Sequence, residues 1–315
     1  MTPRPRTRLL GGLAAVLLAL ALPLVLSGYQ LGLLTKMLIF AILAMSLDLL
    51  LGFTGLPSLG HAAYFGVAAY AASLVSLHLG GGTWLGLPAG VAAAAVASAL
   101  CGLLALRTHE TYFMMITLAL AQVLWGIAHG WRSLTGGDDG LPGIPRPALP
   151  FPWSLDDGVP FYYFVLFCTA ACAGGLWLAV RSRFGRALVG IRESPIRMTV
   201  LGYDVWRYRY AAFVLAGVVA GVAGSLFAYY NRFVSPSYLS VHVSATALLM
   251  VILGGAGTLA GPAVGAAAVV WLENVVSAYT ERWLLVLGAV YVAVTLFAPE
   301  GVAGLLRGRA GRLKG

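Results

Sequence analysis

Apolar residues in this chain come in long unbroken runs. They show neither the one-sided spacing of a soluble helix nor the alternation of a strand. A helix needs about 20 apolar residues to cross the hydrocarbon of a bilayer. Runs of that kind lie at 9–27, 31–51, 85–106, 111–130, 160–180, 211–230 and 284–298. A further run, 60–79, opens on His61 and Tyr64. The stretch 244–278 is too long for one span and is interrupted by Gly254, Gly255, Gly257, Gly261 and Pro262. It predicts two helices, or a broken helix with a short partner. The pattern therefore predicts an all-α polytopic integral membrane protein with about ten transmembrane segments, some short or broken. The missing alternation argues against an outer-membrane barrel.

Composition agrees. Hydrophobic residues make up 60% of the 315 positions and charged ones 10%, against about 25% charged in soluble domains. The net charge of +9 adds a direction, because the basic residues cluster between the apolar runs. Arg4, Arg6 and Arg8 precede the first run. Arg181, Arg183, Arg186, Arg192, Arg197, Arg207 and Arg209 share one loop, and Arg307, Arg309, Arg312 and Lys314 close the chain. The positive-inside rule places all three clusters in the cytoplasm. Ten spans satisfy that placement. They put both termini and the 181–210 loop inside and leave 131–159, with Asp138, Asp139, Asp156 and Asp157, outside. A single span over 244–278 would put the basic C-terminus outside, so the two-helix reading is preferred. The expected organisation is a cytoplasmic tail 1–8, a membrane domain 9–299 and a basic cytoplasmic tail 300–315. The first run is long for a cleavable signal and lacks a good cleavage site, so it is expected to remain. Glycine and proline in 131–159 oppose a regular helix and predict a compact external cap. Trp84, Trp131, Trp153 and Trp283 fit membrane-interface positions.

The chemistry is sparse. The two lysines, Lys36 and Lys314, lack the GxxxxGK[ST] setting of a P-loop. No HExxH motif, dinucleotide fingerprint or nucleophile with a base is present, and the five histidines are scattered. Cys101, Cys168 and Cys172 lie inside apolar runs and read as core residues. No catalytic residue, cofactor site or metal site is expected, and the topological clustering of the cations argues against nucleic acid. Lys36 sits near the end of its span and can snorkel. Asp48 and Glu273 are intramembrane acids, which makes them functional candidates. Two local breaks accompany them. One is LGHAAYFGVAAY, with Gly60, His61 and Tyr64, preceded by Gly55 and Pro57. The other is GGAGTLAGPAVGA, with Gly254, Gly255, Gly257, Thr258 and Gly261. Broken helices expose backbone groups that a membrane tolerates only against protein or a wet cavity, and half-helix ends can bind a zwitterion. These residues, with Asp48 and Glu273, are candidates for a substrate path; tight turns between ordinary spans are the alternative. In the 181–210 loop, Glu193–Leu201 predicts a short amphipathic helix. Ile196 and Val200 share one face, Arg192, Glu193 and Arg197 border it, and Gly202 ends it. Such a helix suits docking of a soluble partner, or rests on anionic lipid. Gly217, Gly221 and Gly224 suit close helix packing.

Five stretches carry a resemblance. LGHAAYFGVAAY, TGGDDGLPGIP, SRFGRALVGIRESPIRMTVLG, GGAGTLAGPAVGA and FAPEGVAGL together resemble the LivM-type permease subunits of branched-chain amino acid ABC importers. The likeness runs from about Leu31 to Leu305. It implies a multi-pass protein of the bacterial inner membrane that imports branched-chain amino acids. The implied partners are a second related permease, two P-loop ATPase subunits, a periplasmic solute-binding protein and membrane lipid. ATP hydrolysis would belong to the partner chains. The same resemblance puts Arg186, Arg192, Glu193, Ile196, Arg197 and Gly202 in or beside the loop that meets the ATPase. Pro195 stands where the family commonly has an acid, and Arg197, Met198 and Thr199 replace its usual Ala-Ala-Glu. A cargo of urea, short amides or aromatic acids fits the same architecture, and a stand-alone secondary carrier or channel is the reading of a different class.

Overall fold

The computed structural model describes residues 22–24, 26–80, 83–108, 110–148 and 154–279, with single positions 282, 285, 286, 288, 289 and 292. The expected spans 9–27 and 284–298 fall largely outside these residues. The tails 1–8 and 300–315, Trp153 and Trp283 fall wholly outside them.

Helix α1, Gly28–Asp48, starts at Ser27, whose backbone N–H donates to Gln30 Oε1 at 3.1 Å in a capping box. It continues through six residues of wider π-helix, Leu49–Thr54, and stops at Gly55, where φ is +73°. The helices α2 (His61–His78), α3 (Gly86–Ala105), α4 (Glu110–Gly130) and α5 (Gly158–Arg181) follow. Next come α6 (Arg183–Glu193), α7 (Pro195–Val200), α8 (Val205–Asn231), α9 (Val241–Gly254) and α10 (Ala260–Tyr279). Among the described residues, six helices are long and apolar enough to cross a membrane: α1 with its extension, α3, α4, α5, α8 and α10. Helix α9 is apolar but shorter. The fold is that of an all-α polytopic membrane protein.

Burial sorts the helices. In α1, 83% of the most apolar window is inside the protein, against 11% in α5. Helices α1 and α8 form the centre, while α3, α4, α5 and α10 turn Leu100, Met115, Phe167, Leu178 and Trp271 outward. An apolar exterior around a packed centre matches a hydrocarbon solvent. Helix α8 lies across α2 and α3. Its glycine face makes this possible: a Cβ at Gly217 would strike Ser98, one at Gly221 would strike Ala94, and one at Gly224 would overlap the Phe65 backbone.

The 244–278 stretch is two helices, α9 and α10, joined by Gly255–Leu259. They pack on each other and on α1. The 181–210 loop departs from expectation. Instead of one helix over 193–201 it holds two, with the break at Ser194. Ser182 caps α6 by accepting from the backbone N–H of Phe184 at 3.1 Å. Ser194 caps α7 by accepting from Arg197 N–H at 3.3 Å, and Pro195 fills the first helical position, where no N–H is needed. Ala187, Leu188 and Ile191 make the buried stripe of α6.

Between α4 and α5 the chain forms one helical turn (Arg132–Thr135), a 3-10 turn (Gly137–Asp139) and strand β1 (Leu141–Pro142). Strand β1 pairs antiparallel with β2 (Phe233–Val234), which follows α8. Trp84 donates its indole N–H to the Ala148 carbonyl at 2.7 Å, tying this cap to the start of α3. Arg146 is its main fastener. Its guanidinium donates to the carbonyls of Leu155 (2.8 Å) and Tyr229 (2.9 Å) and covers the Phe161 ring at 3.9 Å. Burial, and then the neighbouring Arg232, lowers the Arg146 pKa to about 10, which still leaves it charged at neutral pH. Arg146→Ala is expected to destabilise the purified protein by about 3 kcal/mol, the scale of losing a charged donor that serves several buried carbonyls. A thermal shift within error of wild type would refute this account of the cap.

Candidate functional site

Two constellations stand out, one at the break between α9 and α10, the other in a cleft beside α1. At the break, Asp48 is fully buried. Its Oδ1 accepts from the Gly257 N–H at 2.6 Å and its Oδ2 from the Leu259 N–H at 3.0 Å. These are backbone donors that the interrupted helix cannot satisfy itself. Leu259 has φ +55°, a left-handed conformation unusual for a bulky residue, and the carboxylate bond holds it there. Thr258 Oγ1 closes the turn by donating to the Gly255 carbonyl at 2.9 Å and accepting from Gly261 N–H at 3.0 Å. Gly52 allows this approach, because a Cβ there would collide with both Asp48 Oδ1 and Gly257 N.

Arg192, at the end of α6, reaches the same point. Its Nη1 donates to the Gly52 carbonyl. That carbonyl lies in the last turn of the π-helical extension. Pro57, five residues on, has no N–H, and Leu56 N–H is engaged by Leu50. The guanidinium supplies the missing donor. Three elements therefore meet at Gly52: the end of α1, the α9–α10 break and α6.

The cleft is lined by Lys36 and Phe40 of α1, Phe65 of α2, Phe227 of α8, Ser237 and Tyr238 of the turn before α9, His242 and Thr246 of α9, and Glu273 of α10. Its volume is about 240 Å³. Lys36 Nζ lies 3.5 Å from each carboxylate oxygen of Glu273, and both side chains are 27% exposed. Four rings wall the other side. Phe227 meets Tyr238 at 4.9 Å and both Phe40 and Phe65 at 5.4 Å between centroids. A second cavity of about 540 Å³, lined by Tyr29, Gly32, Tyr230, Asn231 and Asn274, shares Lys36 and Phe227 with the first. The two are neighbours along α1.

Of the residues expected along a substrate path, Glu273 lines this cleft. Asp48, Gly254, Gly255, Gly257, Thr258 and Gly261 belong to the break, where they satisfy and shape backbone. His61 and Tyr64 are fully buried; His61 Nε2 lies 2.8 Å from Ser46 Oγ, and the two rings meet edge to face. Gly60 packs against the Thr117 backbone. None of these lines either cavity. Lys36 and the ring cluster were not singled out from sequence. In the 181–210 loop, Arg186, Glu193, Ile196, Arg197 and Gly202 are exposed. Ile196 is 79% and Val200 83% exposed, so α7 presents bare apolar side chains. Arg192 points back into the bundle rather than bordering that face.

A family model described as branched-chain amino acid transport system / permease component matches residues 29–295. The chain belongs to this family. As a permease it is similar to the high-affinity branched-chain amino acid transport system permease protein LivM of Escherichia coli K12, 28% identical over 93% of this chain and 74% of that protein. It is also similar to the probable branched-chain amino acid transport permease LivH of Methanocaldococcus jannaschii, 24% identical over 85% of this chain and 89% of that one. A shorter likeness, 30% identical over 39% of this chain and 32% of the relative, links the permease to the xylose transport permease XylH of Escherichia coli K12. No solved structure matches it. Its role is membrane transport, and its family implies assembly with the other subunits of an ABC system.

Proposed function

We propose that this permease is one half of the membrane channel of an ATP-driven importer whose cargo is a branched-chain amino acid. Beside it would stand a second related permease, two P-loop ATPases and a periplasmic binding protein. The observation that carries the reading is the Arg192 junction: a helix pair with an exposed face suited to a soluble partner is hydrogen-bonded to the end of α1, beside the α9–α10 break. The sequence topology completes it. Ten spans, with 9–27 first and 284–298 last, leave both termini and α6–α7 in the cytoplasm of a bacterial inner membrane and the 131–157 cap outside. Closure of the ATPases would then press on Ile196 and Val200 of α7. Helix α6 passes the displacement through Arg192 to Gly52 and Gly257, next to the helices that line the cleft. The chain has no P-loop, so hydrolysis falls to the partners.

Reconstitution of the whole assembly in proteoliposomes tests this. Uptake of labelled leucine should need both ATP and the binding protein. Uptake that persists without ATP would identify a stand-alone carrier instead. The double variant Ile196→Asp, Val200→Asp should lose the ATPase subunits on size-exclusion chromatography while the two permeases stay together. ATPases that co-elute normally with this variant would remove α7 from the docking surface.

A further inference from the structure

We infer that the Lys36–Glu273 cleft is a binding site for one free α-amino acid with an apolar side chain, so that the membrane subunit itself recognises its cargo. This rests on the amino-acid reading above and adds a place and a chemistry to it. Lys36 takes the α-carboxylate, Glu273 takes the α-ammonium, and Phe40, Phe65, Phe227 and Tyr238 receive the side chain.

Three observations lead there. The first is the looseness of the pair. A tight ammonium–carboxylate bond is about 2.7–2.9 Å, whereas Lys36 Nζ stands 3.5 Å from both Glu273 oxygens and donates evenly to each. The charges neutralise one another without being locked. The second is electroneutrality. A lone charge inside a membrane protein is strongly disfavoured, and breaking a buried pair strands one. A zwitterion inserted between Lys36 and Glu273 exchanges one ion pair for two and leaves the site neutral. A carboxylic acid or an amine alone would leave a net charge, and a sugar would offer hydroxyls but no countercharge to either group. The third is size and lining. At about 240 Å³ the cleft has room for a solute the size of a small amino acid beside the ion pair. Phe40, Phe65, Phe227 and Tyr238 give it an aromatic wall, and Ser237, Ser240, His242 and Thr246 add polar groups beside the ion pair.

The adjoining cavity adds polar groups next to this site. It shares Lys36 and Phe227 with the cleft, and Tyr29 Oη donates to Asn274 Oδ1 at 2.9 Å along its wall.

The test is equilibrium binding of labelled leucine to the purified complex of permeases and ATPases in lipid nanodiscs, with the binding protein left out. Lys36→Gln and Glu273→Gln should each weaken binding by about tenfold or more. The exchanged pair Lys36→Glu with Glu273→Lys should recover most of it, because the neutral two-charge site returns. On the unaltered complex, isoamylamine and 4-methylpentanoate, each with one charged end of leucine, should compete about 100-fold less well than unlabelled leucine. Unchanged binding in both single variants would overturn the proposal. So would equal competition by either analogue, and that measurement stands even if a variant fails to assemble. Leucine uptake by the full assembly, unaltered and carrying each variant, separates the two claims. Uptake with normal affinity in both variants discards the site and keeps the importer, whereas no leucine uptake at all discards the cargo reading and the site together.

Discussion

Replacing Asp48 by Leu will remove roughly 2–6 kcal/mol of stability, taking about 1–3 kcal/mol for each of two stranded N–H groups. Among the described residues, the Gly257 and Leu259 amides bond to no other acceptor than this carboxylate. Leu259 would also lose the bond that holds it at φ +55°. Asp48→Asn should fall between wild type and Asp48→Leu. Its amide keeps one acceptor oxygen but turns an NH2 group toward the second donor. The measurement is the unfolding midpoint of the purified chain in a detergent titration. A stable Asp48→Leu protein would mean that the break is held by its glycine packing alone, and Asp48 would return to the list of groups available to a solute.

Arg192→Met will separate hydrolysis from transport. Once the family role is accepted, α6 stands between the surface that meets the ATPase and the helices that line the cleft. A polar link to them is the bond from Arg192 to the Gly52 carbonyl. A charge-assisted bond of that kind contributes about 1.5–3 kcal/mol, so leucine moved per ATP hydrolysed should fall on the order of 10- to 100-fold. Methionine keeps the apolar stem, so assembly should survive. Arg192→Lys should rescue in part, because it returns a cation without the planar fork. A variant that transports with unchanged stoichiometry would exclude the link. One that fails to bind the ATPases would make Arg192 a docking residue instead.

Much of this arrangement is legible along the chain. The broken helix announces itself through Gly254, Gly255, Gly257, Gly261 and Pro262, since backbone that tolerates positive φ and a residue without an N–H cannot continue one span. The start of α7 is written in Ser194-Pro195. Helix α6 carries its own signal, outside the helix expected over 193–201: Phe184, Ala187, Leu188 and Ile191 follow the spacing of a one-sided helix amid the arginines. The cleft could not be read the same way. Lys36 and Glu273 are 237 positions apart, and nothing local to either tells that α1 and α10 are neighbours. For the same reason Asp48 looked like a lone intramembrane acid. Its role became apparent only when the fold brought two unsatisfied amides to it from more than 200 positions away.

The two-residue ribbon of Leu141–Pro142 with Phe233–Val234 is the smallest element of the fold and fixes a mechanical relation between distant parts. Two residues after the ribbon, at Pro236, comes the turn that carries Ser237 and Tyr238 into the cleft. Tyr238 Oη donates back to the Phe233 carbonyl at 3.1 Å. The cap is thus anchored through one strand pair and one hydroxyl to the ring that lines the cleft, so the position of that ring depends on a segment nearly a hundred residues earlier in the chain.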